Sequence, residues 1–255
     1  MLGGIKHGSR ASELRGLTRP LNVIRLVPAN GAFDVVEDDS PLGVRPIRKA
    51  RMIYMVESTQ TAQSGLLRWR VVDVTVTAVI AVASGVVFWG LGMVTVPLST
   101  LMQVVPGLQA LTWGLFYFAG PLAALVVRKP GAAIFAELIA ALVEAVLGSH
   151  WGGLGTIIPG LEQGLGAEIA FAIVAYKIWN LGVATLSGAM AGLAGMIISW
   201  IMYYQGYGMD FIVIGFVCSV ISGAVFAGAL MWALYKAIAA TGALGHFASG
   251  RDTRR

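Results

Sequence analysis

From Trp69 onward the chain is a succession of long apolar runs separated by short stretches of Gly, Pro and Ser. A membrane helix needs about 20 mostly apolar residues, and six runs approach that length: 71–94, 107–127, 131–148, 155–176, 181–204 and 210–237. The third is the shortest and ends at Gly148-Ser149. Before Trp69 the pattern is different. Residues 1–67 show no sustained helical or strand period, and Pro20, Pro28, Pro41 and Pro46 punctuate them. This pattern predicts an all-α integral membrane protein. Residues 1–67 are expected to be a disordered, basic cytoplasmic extension, 68–240 a six-helix membrane domain and 241–255 a cytoplasmic basic tail.

Composition agrees with that reading. Of 255 residues, 57% are hydrophobic and 12% charged, about half the charge expected of a soluble domain. Mean hydropathy is +0.77. The net charge of +5 carries no implication of nucleic-acid binding, because 11 of the 18 Lys and Arg residues precede Val71. Residues 1–65 contain no continuous apolar core of the kind a signal peptide needs, so insertion is expected to begin with the first membrane helix.

The remaining positive charges set the orientation. Arg68 and Arg70 precede the first run, Arg128 and Lys129 join the second and third, Lys177 joins the fourth and fifth, and Lys236, Arg251, Arg254 and Arg255 follow the sixth. The alternate connections, 95–106, 149–154 and 205–209, hold no Lys or Arg. Six crossings with both termini cytoplasmic keep every basic cluster on one side of the cytoplasmic membrane.

Against this background the stretch from Arg128 to Phe171 stands out, with Glu137, Glu144, Glu162 and Glu168 in otherwise apolar or glycine-rich sequence. A charge at bilayer depth costs upward of about 2.5 kcal/mol, so intramembrane acids are functional candidates. Glu137 and Glu144 are close to two turns apart and share a helix face. Gln163 and Glu168 lie on the next run, with His150 and Trp151 on the loop between. Trp113 and Tyr117 add aromatic surface from the second run. Such a set suits a small cationic or amine-bearing heteroaromatic ligand, with carboxylates accepting its N–H groups and aromatic faces stacking on its ring. The competing reading makes these acids helix–helix glue, neutral or paired with Lys129 or Lys177 near the inner surface. In that reading Glu162 reaches the outer headgroups and Asp73 is interfacial.

Other chemistry finds no support. There is no GxxxxGK[ST] phosphate loop, no HExxH, no GxSxG and no close histidine pair. Cys218 is the sole cysteine, which leaves no disulfide framework or CxxC metal site in the chain. The sequence GLEQGLGAE lacks the preceding strand a dinucleotide fingerprint requires. On the first run, Thr77, Ala81 and Gly85 recur every four residues as a smooth stripe. Such stripes serve internal packing or a docking face for another membrane protein.

The segments VRKPGAAIFAELIAALVEAVLGSHWGG and GLEQGLGAEIAFAIVAYK resemble the YkoE family of S components, and the similarity spans about 68–240. S components are the substrate-capture subunits of energy-coupling factor (ECF) transporters, a branch of the ABC class. The resemblance implies a six-helix protein, without enzymatic activity or cofactor of its own, that binds thiamine or its hydroxymethylpyrimidine moiety from the outer side. It also implies a transmembrane T component and two ATPase subunits as partners. It places ligand-binding roles on Glu144, His150, Trp151, Gln163 and Glu168, and a docking role on Thr77, Ala81 and Gly85. The alternative from a different class is a self-sufficient secondary transporter in which Glu137, Glu144 or Glu168 carries coupling protons. Six helices without an inverted repeat argue against it.

Overall fold

The apolar runs fold as helices whose lengths depart from their hydropathy boundaries in informative ways. In the computed structural model the described residues are 25–29, 32–36, 68–149, 152–245, 247 and 249–250. The chain divides into two units, Met1–Thr59 and Gln60–Arg255.

In the first unit, strand β1 (Arg25–Ala29) pairs antiparallel with β2 (Ala32–Val36), with Arg25 opposite Val36 and Ala29 opposite Ala32. This corrects the expectation that residues 1–67 hold no strand. The signal was present: Asn30 and Gly31 separate two β-prone runs, and Asn-Gly is a strong short-range hairpin marker. The rest of the extension lies outside the described residues up to residue 67.

In the second unit, α1 (Val71–Met102) is a 32-residue helix that outruns its expected end at 94. Asp73 starts it by accepting the Arg70 backbone N–H at 2.9 Å. The helix continues through Pro97. Nearby hydroxyls bond back to backbone carbonyls, Thr95 to Leu91 and Thr100 to Val96, which is one way membrane helices tolerate proline. The second run splits. Leu108–Phe116 winds as a tight 3-10 helix and α2 (Ala119–Val127) follows as a short α-helix. The tight segment is pinned from across the fold: the Gly114 N–H donates to Ser222 Oγ at 3.0 Å, and that hydroxyl donates to the Leu111 carbonyl.

Next come α3 (Ala132–Gly148) and α4 (Ile157–Ile173), each of 17 residues, then α5 (Leu181–Tyr203). The last run is a continuous helix over Met209–Ala240. Within it α6 (Met209–Ser222) and α7 (Leu230–Ala240) flank a π-helical turn, Gly223–Ala229. That wider turn lies backbone against backbone on α5, with Gly223 and Gly188 so close that neither has room for a Cβ.

Among the described residues, four helical stretches are long and apolar enough to cross a membrane: Val71–Met102, Leu108–Val127, Leu181–Tyr203 and Met209–Ala240. The protein is a multi-pass membrane protein, its membrane body all-helical. The two shorter helices, α3 and α4, are the ones that carry the glutamates. They sit among the longer ones, α3 against α1 and α4 against both α3 and α5. Outward-facing valines such as Val79, Val86 and Val94 are exposed, as side chains meeting lipid would be.

Glycine sets how closely the acid-bearing helices approach. A Cβ on Gly160 of α4 would lie 2.5 Å from the Ala141 Cβ, and one on Gly164 would lie 2.8 Å from the Ile134 Cα. The Thr77–Ala81–Gly85 stripe is used in the same way. Thr77 and Ala81 are fully buried, and a Cβ on Gly85 would meet the Ala140 carbonyl at 2.6 Å. Gly85 thus packs directly on α3, and Thr77 and Ala81 are buried within the chain. The segment after α7, expected as a tail, folds back as far as it is described. Leu244 and Phe247 are buried, and Ser249 Oγ donates to the Val126 carbonyl at 2.7 Å.

Candidate functional site

The glutamates fall into two groups once their partners are known. At the Gly131 end of α3, Glu168 is fully engaged. Its Oε1 accepts from the Gly131 N–H at 2.6 Å and from the Tyr176 hydroxyl at 2.6 Å, while Oε2 accepts from the Ala133 N–H at 2.9 Å. It caps the start of α3, where backbone N–H groups lack helical partners and the helix dipole favours a negative charge. Asp73 is also engaged. It is fully buried within the chain, and it pairs with Arg70 at 2.8 Å and with Lys129 at 3.8 Å. Lys129 is one of the two lysines that the glue reading offered to the intramembrane acids.

Glu137, Glu144 and Glu162 have no such arrangement. All three are buried and line one cavity of about 250 Å³ between α3, α4, α5, α1 and the 3-10 segment. Glu137 Oε1 accepts from the Gly120 N–H at 2.8 Å, but its Oε2 has no partner. Glu162 Oε2 has none either. Glu144 has a long contact with Ser149 Oγ at 3.5 Å. Among the described residues no Lys or Arg pairs with any of the three. Burying an unpaired carboxylate costs several kcal/mol, a cost that a cation or a set of N–H donors in the cavity would offset.

The rest of the wall is aromatic. Phe88 comes from α1, Trp113 and Phe116 from the 3-10 segment with Tyr117 just after it, and Tyr203 from the end of α5 with Tyr204 just after it. Trp113 stacks on Tyr204 with centroids 6.2 Å apart and planes 13° apart. Tyr117 is held by a 3.3 Å contact between its hydroxyl and Ser219 Oγ, and it fits because Gly195 opposite has no side chain.

Of the residues singled out in the sequence, the structure brings Glu137, Glu144, Gln163, Trp113 and Tyr117 together around the cavity. Glu168 is not in its wall. His150 and Trp151 lie outside the described residues. Glu162, read as an acid reaching the headgroups, is instead buried and faces the cavity. Also missed were Phe88, Phe116, Tyr203 and Tyr204. Their only sequence signal was aromatic character, which in a membrane protein equally marks the interface.

Acids and aromatic rings thus line one cavity among the helices of a membrane protein. Comparison with known proteins gives the class. Residues 72–194 match the family described as the permease component of an ABC-type cobalt transport system. The HMP/thiamine permease protein YkoE of Bacillus subtilis (strain 168) is 33% identical over 191 residues, covering 73% of this chain and 93% of that protein. A solved crystal structure of an S component of an ECF transporter superposes with a TM-score of 0.65 at 32% identity, covering 73% of this chain and 94% of that one. The chain belongs to the YkoE family of ECF-transporter S components. It is a transport component and not an enzyme.

Proposed function

We propose that this S component captures thiamine, or its hydroxymethylpyrimidine moiety, from the outer side of the cytoplasmic membrane. It then hands the solute inward through a transmembrane T component and two ATPase subunits. The observation that carries this reading is the set of three buried carboxylates, two with an unpartnered oxygen, in a cavity walled by aromatic rings. An aminopyrimidine donates N–H bonds to such oxygens. A thiazolium supplies permanent positive charge to offset the acids and a ring to stack on Trp113 or Tyr204. The cavity volume of about 250 Å³ lies just below the roughly 300–1,000 Å³ of drug-sized sites, as suits one or two small rings. The name of the Bacillus subtilis relative points to the same solutes.

The purified chain alone is expected to bind thiamine, with quenching of tryptophan fluorescence. Glu144→Gln keeps the size but removes a charge. Hydrogen bonds to charged groups contribute about 1.5–3 kcal/mol, so affinity should fall about ten- to a hundredfold. Unchanged thiamine affinity in that variant overturns this reading of the cavity.

The same proposal has the chain cross the membrane six times with both termini cytoplasmic. The two 17-residue glutamate helices are then spans shielded by their longer neighbours, and every described basic loop lies on the inner side. In a Cys218-free background, a cysteine at Ser99 should react with an impermeant thiol reagent applied to intact cells. Labelling at Lys129 from outside refutes the arrangement.

A further inference from the structure

A second cavity, of about 500 Å³, shares Trp113 and Tyr204 with the lining of the first. Three features make it more than a surface dent. Gln109 is 7% exposed and lines it, yet its Oε1 has no hydrogen-bond partner. A buried, unpaired acceptor costs about 1–3 kcal/mol, which a bound donor recovers. The aromatic rings there are packed on one another and not merely adjacent: Tyr204, Tyr207 and Phe211 have mutual centroid distances of 4.8 to 5.3 Å. Asp210 lines the same cavity and supplies a carboxylate. An interfacial aromatic belt explains the rings alone. It does not explain a buried amide left without a partner.

We propose that this outer cavity is a second binding site, weaker than the first, for a small organic cation that carries an N–H donor. Gln109 Oε1 accepts the donor, Asp210 offsets the charge, and the faces of Trp113, Tyr207 and Phe211 hold the ring. The solute is thus held next to the Trp113–Tyr204 pair before it occupies the acid cavity, which the same pair also lines. The choice of thiamine as probe rests on the proposed function above; the site itself rests on its own residues.

Equilibrium dialysis of labelled thiamine against the full-length chain in zwitterionic nanodiscs tests the proposal. The expected result is two classes of site. Asp210→Asn, a change at an exposed position, should weaken the weaker class at least several-fold, and adding Gln109→Leu should abolish it. The tighter class should stay within about twofold in both. Glu144→Gln should do the reverse. Neutral hydroxymethylpyrimidine should show a much smaller second class than thiamine, because it lacks the permanent charge. A single class of site in the unaltered chain, or a weaker class indifferent to Asp210→Asn, overturns the proposal. Loss of the tighter class's dependence on Glu144, with the weaker class still dependent on Asp210, would instead refute the inner cavity as the main site and leave the outer one standing.

Discussion

Within the α3–α4 pair the same side chain stands in opposite circumstances. At the Gly131 end, Glu168 accepts three hydrogen bonds and holds the first turn of α3 in place. Glu137, less than two turns further along α3, and Glu162, in the first two turns of α4, each keep an oxygen with no partner, and both face an aromatic-walled cavity. Burial is similar throughout, so burial does not separate these acids. Satisfaction does. Both oxygens of Glu168 are engaged, whereas Glu137 and Glu162 each keep an idle oxygen, which the proposed function gives to a solute.

The largest effect should come from removing the engaged acid. Glu168→Ala leaves two backbone N–H groups and the Tyr176 hydroxyl without their acceptor, at about 1–3 kcal/mol for each buried donor. A loss of several kcal/mol is expected, read as a large drop in the thermal midpoint of the purified chain. Glu162→Gln should behave oppositely. It removes a carboxylate that no described cation pairs with, so stability should hold or rise, while thiamine affinity falls about tenfold as one charged acceptor is lost. If Glu162→Gln destabilised the fold as much as Glu168→Ala, the division between the two kinds of acid would collapse.

A smaller effect sharpens the same comparison on α1. Ala81 is fully buried in the seam against the body of the protein, and overpacking such a site costs about 1–3 kcal/mol. Ala81→Leu should therefore lower the thermal midpoint of the isolated S component, without any partner present. If the isolated chain kept its stability and only assembly with the T component and ATPases suffered, Ala81 would be a docking residue after all.

Much of this was legible before any coordinates. Hydropathy and the placement of Arg and Lys define the membrane body, and the i, i+7 spacing puts Glu137 and Glu144 on one face. The motifs around Glu144 and Gln163 carry the family resemblance that the relatives bear out. These are local properties, readable over a few turns of one helix. The hairpin at Arg25–Val36 was just as local, and its Asn-Gly signal was overlooked.

What the sequence by itself determined, then, is the solvent each segment prefers and which polar residues are anomalous within it. Tertiary structure alone decided what those anomalies do. Glu162 and Glu168 are six residues apart on one helix, yet one lines the cavity and the other caps α3. The difference lies in partners 37 and 35 positions away: Gly131 and Ala133 for Glu168, and for Glu162 the absence of any described equivalent. In a membrane no water can satisfy a buried acid by default, so its role is set by which backbone and side-chain donors the packing of distant helices brings within reach.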